Sequence, residues 1–225
     1  PPRPQRKPGQ PNVLVVLFDD VGFSDFGCYG SGLPTPTIDA IAARGLRMTG
    51  FHTTAICSPT RAALLTGRNP HATGVGSVMN SATTKPGYSG VLRAETATVA
   101  RVLSDAGYAT SLFGKWHLVP DWEAGQTGPF TRWPTGQGFQ HFYGFLGGET
   151  DQYQPTLYEG TRPVVAERTP GYHLTEDLAD QAIAWMRQQR GVDPARPFFL
   201  YFAPGAAHAP LQPPASWVER YRGRF

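Results

Sequence analysis

The longest uninterrupted apolar runs in the chain are only six residues, at 13–18 (Val-Leu-Val-Val-Leu-Phe) and 198–203 (Phe-Phe-Leu-Tyr-Phe-Ala). Six residues make a strand; a membrane-spanning helix needs about 20. The first run lacks polar alternation and reads as a strand buried on both faces, the habit of parallel sheets. Between the two runs the pattern turns helical. Residues 35–45 read as a short helix, capped by Thr35, opened by Pro36 and closed by Gly45. A second helix starts at Ser58-Pro59 and stops at Gly67. A third covers 96–106, with Val99, Val102, Leu103 and Ala106 on one face and Gly107 ending it. The clearest is 175–190, with Thr175 as cap, Glu176 and Asp177 in the first turn and Gly191 at the end. Residues 46–51 and 108–113 read as further strands, and Pro197 introduces the strand at 198–203. Over 118–172 periodicity fails, so that stretch is expected to form long loops and a hairpin. Strands alternating with helices predict an α/β fold, with a mostly parallel central sheet and helices on both faces.

The 225 residues suit one domain or part of a larger one, and 40% hydrophobic residues suffice for a sizeable core. Twenty-six Gly and 22 Pro make loops abundant and argue against coiled coils and helical bundles. The net charge of +3 is local, because Arg3, Arg6 and Lys7 lie in the first eleven residues with no acid among them. Residues 1–11 therefore read as a Pro-rich basic tail, expected to be disordered, ahead of a folded part at 12–225. No basic excess remains for nucleic acid, and no run is long enough for a membrane. No leader is visible, which points to the cytoplasm, although the chain does not begin with Met. Two cysteines, Cys28 and Cys57, exclude a disulfide scaffold and a cysteine zinc site.

Four polar clusters fall at strand ends or helix starts, and open α/β sheets bind ligands at the carboxyl ends of their strands. Asp19-Asp20 follows the first strand. Adjacent carboxylates repel unless a hard cation neutralises them, and a solvated turn is the other reading. Cys57-Ser58-Pro59-Thr60-Arg61 opens a helix, whose N-terminus favours anions. Arg61 is one turn beyond Cys57 and can fold back toward the same pocket. A buried structural cysteine beside a surface arginine is the alternative. Gly114-Lys115-Trp116-His117 follows the strand at 108–113. An extended chain would put Lys115 and His117 on one side, where they suit an anion. His208 comes just past the strand at 198–203, where a lone histidine is more often a hydrogen-bonded structural residue. Together these residues could hold a metal and a tetrahedral oxyanion.

Residues 57–67, Cys-Ser-Pro-Thr-Arg-Ala-Ala-Leu-Leu-Thr-Gly, carry the pattern C-x-P-x-R followed by L-x-T-G. Through them, and through Gly107-Tyr108-Ala109-Thr110 up to Gly114-Lys115-Trp116-His117, the chain resembles the type I sulfatases of the alkaline phosphatase superfamily. Pro11-Asn12 to Asp19-Asp20 is similar to that family's opening strand, and Ala207-His208-Ala209-Pro210 to its later histidine motif. Phe142-Tyr143-Gly144-Phe145-Leu146-Gly147-Gly148 is similar to bacterial arylsulfatases in particular.

The resemblance implies a sulfuric ester hydrolase with an alkaline phosphatase/sulfatase-like fold. It implies that Cys57 is oxidised after synthesis to formylglycine by a formylglycine-generating or sulfatase-modifying enzyme. It further implies one calcium ion per active site, held by Asp19, Asp20 and the modified Cys57. One oxygen of the hydrated aldehyde would attack sulfur, and loss of a proton from the other would then expel sulfate. Arg61 would hold the diol, Lys115 would contact diol and sulfate, His117 would assist elimination, and His208 would contact sulfate near the leaving oxygen. The substrate would be a small-molecule aryl or alkyl sulfate ester. The family also places an Asp-Asn or Asp-His pair and another Lys later in the chain, and residues 209–225 contain no Asp, Asn or Lys. The chain is therefore expected to be the N-terminal part of a longer enzyme, inactive alone for want of metal ligands. Hydrolysis of phosphonate monoesters or phosphodiesters on the same framework, or a non-catalytic module with Cys57 unmodified, are the competing expectations.

Overall fold

The computed structural model describes residues 9–165 and 169–224. Residues 1–8 of the expected tail lie outside them. Six strands form one sheet in the order β1-β6-β2-β3-β4-β5. The strands are β1 (Val13–Val16), β2 (Ala109–Lys115), β3 (His141–Phe145), β4 (Leu157–Glu159), β5 (Arg162–Val164) and β6 (Phe198–Ala203). The pairs β1–β6, β6–β2 and β2–β3 are parallel, while β3–β4 and β4–β5 are antiparallel. The helices are α1 (Pro36–Arg44), α2 (Cys57–Thr66), α3 (Val99–Asp105), α4 (Leu174–Val192) and α5 (Ala215–Tyr221).

Alternation along the central strands sends side chains to two separate cores. Leu112, Phe142, Phe199 and Tyr201 join Ala62 and Leu65 of α2 and Ala100 of α3 on one face. Phe113, Tyr143 and Leu200 join Leu178, Ala182 and Trp185 of α4 on the other. Helices therefore cover both faces of a mostly parallel sheet, as expected. Among the described residues no helix is long and apolar enough to cross a membrane.

Several local expectations need correction. Among the described residues β1 is paired on one edge only, and it is not buried on both faces. Val13, Val15 and Leu17 pack into the α2–α3 core, whereas Leu14 is 55% exposed and Val16 and Phe18 are also exposed, because α4 covers β2 and β3. Residues 46–51 form no strand, and Leu46, Met48 and Phe51 are exposed. In α3 Val102 points to solvent, and Ala100 supplies the buried contact. α4 is capped by His173, whose Nδ1 accepts from Thr175 N, and it continues through Gly191. The stretch 118–172 holds the β4–β5 hairpin but also β3, a buried parallel strand that glycines and aromatics disguise. Gly114 has φ 106° and lies against Ala203 O, and Gly144 lies against Gly114 O; any side chain there would collide with backbone. These glycines let β6, β2 and β3 converge at their carboxyl ends.

Candidate active site

The parallel strands end side by side, and the loops that follow them carry the polar residues. Asp19 is tied to the loop after β6 through its backbone, donating to Ala206 O (3.1 Å) and accepting from Ala207 N (2.9 Å). Its carboxylate is buried against two cations. Lys115 Nζ, at the end of β2 and with no exposed surface, bonds Asp19 Oδ2 directly, and Arg61 Nη2 stands 3.5 Å from the same oxygen. Arg61 folds back from the first turn of α2 as its spacing suggested. Its Nη1 donates to Lys115 O (3.0 Å) and to Tyr201 OH (3.3 Å). Its Nε is buried with no hydrogen-bond partner among the described residues. One carboxylate faces two buried cations, so the cluster keeps excess positive charge.

Beside this cluster Cys57 Sγ lies 3.1 Å from His117 Nδ1. Cys57 is the first residue of α2, with Ile56 at the N-cap and Pro59 in the first turn, where proline's missing N–H costs nothing. His117 reaches it by an unexpected route. The chain does not stay extended after β2, because His117 has φ 53°. Its backbone N–H donates to Leu146 O (3.0 Å), and its ring packs on Gly148. Burial, then the positive charges of Lys115 and Arg61, push its pKa down to about 3, with Asp19 opposing. The imidazole is held neutral and resists protonation.

Asp20 has φ 54° and is mostly exposed. Its Oδ2 lies 3.8 Å from His208 Nε2, while Glu149 Oε2 lies 3.8 Å from His208 Nδ1. His208 Nδ1 donates to Ala209 O (2.8 Å), which leaves Nε2 facing the site. Asp19, Asp20, Cys57 and Arg61 line one cleft of about 350 Å³. The seven residues singled out by sequence therefore converge at one end of the sheet. Sequence reasoning missed Tyr201, Gly148 and Glu149. Glu149 sits just beyond the Phe142–Gly148 stretch, so a strand assignment there would have brought it to the same edge.

The carboxylates are hard oxygen donors suited to calcium. Among the described residues, however, no three of His, Cys, Asp and Glu gather as a metal cluster. Asp19 and Asp20 fit as a share of a six- to eight-coordinate site and do not make one alone.

Comparison with known proteins bears on the family and the fold. The sequence profile described as Sulfatase matches residues 11–225. An uncharacterised sulfatase of Schizosaccharomyces pombe is 35% identical over 98% of this chain and 42% of its own length. Arylsulfatase of Klebsiella aerogenes is 33% identical, over 96% of this chain and 47% of its own. Arylsulfatase A of Homo sapiens is 35% identical, over 96% and 45%. The chain thus spans under half the length of these relatives. Among solved structures, yidJ of Bacteroides fragilis superposes with a TM-score of 0.77 at 26% identity, covering 97% of this chain and 49% of that one. A sulfatase from Pseudoalteromonas gives 0.68 at 26%, covering 89% and 44%. With the profile spanning nearly all of it and sulfatases among its relatives and structural neighbours, the chain belongs to the sulfatase family.

Proposed function

We propose that the protein hydrolyses sulfate monoesters at Cys57. The observation that carries this reading is the buried cluster of Lys115, Arg61 and Asp19 next to the Cys57–His117 pair. A tetrahedral sulfate is anionic, and two buried cations facing one carboxylate leave a positive site for it. The unpaired Arg61 Nε gives one more donor to an oxygen in that cleft.

Each residue has a task that its surroundings suit. Cys57, matured to formylglycine by a modifying enzyme, supplies a hydrated aldehyde as nucleophile at the mouth of α2. Lys115 and Arg61, fixed by burial, hold negative charge without reorganising. Neutral His117, with Nδ1 facing position 57, hydrogen-bonds the hydroxyl there and orients it. His208, with Nε2 turned to the site, meets the departing oxygen. Asp19, Asp20 and an oxygen at position 57 are this chain's contribution to a calcium site, where the ion would offset charge on sulfate oxygens.

The test is turnover of 4-nitrophenyl sulfate against a phosphonate monoester by the full-length protein. Sulfate turnover that disappears in Cys57→Ala and survives in Cys28→Ala supports the reading. Preference for the phosphonate, or equal losses from the two cysteines, contradicts it.

A further inference from the structure

Arg61 is held by a residue to which hydrolysis at Cys57 gives no task. Tyr201, in the middle of β6, has no exposed surface and pairs in register with Val15 of β1 and Leu112 of β2. Its ring lies in the α2–α3 core and stacks on Phe139, with centroids 6.2 Å apart and planes 24° from parallel. Phe139, Phe142 and Phe199 in the same core carry no polar side-chain atom, and burying a hydroxyl among such rings is costly unless it is hydrogen-bonded. The hydroxyl at 201 is spent on Arg61, accepting from Nη1 (3.3 Å). Burial raises the pKa of this phenol, with Arg61 opposing, so the hydroxyl stays neutral.

The guanidinium is gripped at one nitrogen. Nη1 also donates to Lys115 O (3.0 Å), so acceptors on the neighbouring strands β6 and β2 meet at the same atom. A rigid planar fork held in this way keeps its orientation. Its Nη2 stays 3.5 Å from Asp19 Oδ2, beyond the roughly 2.7–3.2 Å of a normal hydrogen bond. Attraction between buried opposite charges would draw a freely turning fork onto Asp19.

We propose that Tyr201 is a positioning residue, which holds Arg61 short of full contact with Asp19 and so reserves its charge for the sulfate group. A guanidinium closed onto Asp19 would spend on that carboxylate the charge that an arriving anion needs. Held off, it keeps Nε, which has no hydrogen-bond partner among the described residues, as a free donor. The proposal rests on sulfate being the anion that this cleft receives.

The test uses the full-length protein and reads its affinity for inorganic sulfate by calorimetry, which needs no turnover. Tyr201→Phe removes the hydroxyl and keeps the ring. It should weaken sulfate binding about tenfold, the lower end of what one hydrogen bond to a charged group contributes. Phe199→Leu loosens the same core two residues away on β6, and it should lower the thermal midpoint while sparing sulfate affinity. In an Arg61→Ala background, Tyr201→Phe should cost nothing further. Unchanged affinity in Tyr201→Phe overturns the proposal, as does equal weakening by Phe199→Leu or a second tenfold loss in the Arg61→Ala background. Where Arg61→Ala does not fold or binds too weakly to measure, the comparison of Tyr201→Phe with Phe199→Leu decides. A parent protein that binds no sulfate also overturns it. Sulfate binding that depends on Tyr201, in protein that turns over no sulfate ester, would fault the reading of Cys57 and leave the role of Tyr201 standing.

Discussion

Gly148→Ala tests how His117 is held. The loop after β3 is clamped to the end of β2 by Trp116 N to Phe145 O and His117 N to Leu146 O, both 3.0 Å. A methyl group at 148 would stand 2.8 Å from His117 Cε1 and 3.0 Å from Nε2, where ordinary contact begins near 3.4 Å. Gly148 is not among the glycines with positive φ, so alanine adds no backbone strain and the whole effect falls on the ring. The imidazole must give by about 0.6 Å, the difference between those contacts. Its Nδ1 is 3.1 Å from Cys57 Sγ, so that shift disturbs the pair proposed to react. Misplacement by about 1 Å can cost about 10²-fold in rate, so we expect a loss of roughly 10- to 10²-fold, about 1.4–2.7 kcal/mol. The assay is steady-state and pre-steady-state phenol release by the full-length protein, with the thermal midpoint recorded alongside. His117→Ala in combination with Gly148→Ala should be no slower than His117→Ala alone. An equal loss from Gly148→Ala in the His117→Ala background would refute the reasoning, as would a loss under about twofold with His117 intact.

Three further perturbations separate the roles around this pair. Asp19→Asn leaves Lys115 and Arg61 buried without their counter-charge and should lower unfolding stability by about 3–5 kcal/mol, whereas exposed Asp20→Asn should cost under about 0.5 kcal/mol; equal costs in urea denaturation would contradict the cluster. His117→Ala should show a burst of phenol followed by slow turnover, and Lys115→Ala slow release without a burst, each down by about 10²–10³-fold; the reverse pattern would overturn the division of labour. Burial lowers the His141 pKa from 6.5, with Glu159 opposing, so its share of stability is full above pH 6.5 and is lost as pH falls; His141→Gln should flatten the acid slope of the urea midpoint, and an unchanged slope would contradict it.

The site was more legible in the sequence than parts of the fold, for physical reasons. Asp19, Cys57, Lys115 and His208 each follow a strand or open a helix, and parallel strands bring such positions to one end. β3 was hidden because its companions Gly114 and Gly144 serve close backbone approach, which carries no periodic signal. β1 looked buried on both faces because apolar content registers hydrophobicity and not which helix will cover it. The route of His117 was also illegible. Its left-handed φ and its support by Leu146 O and Gly148 depend on residues 29 and 31 positions away in a stretch without periodicity. Residues 46–51 carry the hydrophobicity of a strand without a neighbour to pair with, so propensity alone misled.

Position 57 is the proposed reactive centre, and one measurement reaches it directly. The mass of the tryptic peptide 48–61, isolated from full-length protein with measured sulfate ester turnover, reports the chemical state of Cys57 without involving Cys28. We expect the mass of an aldehyde in place of the thiol, in proportion to the activity of the preparation. Full turnover by protein whose residue 57 is wholly an unmodified thiol would contradict the account.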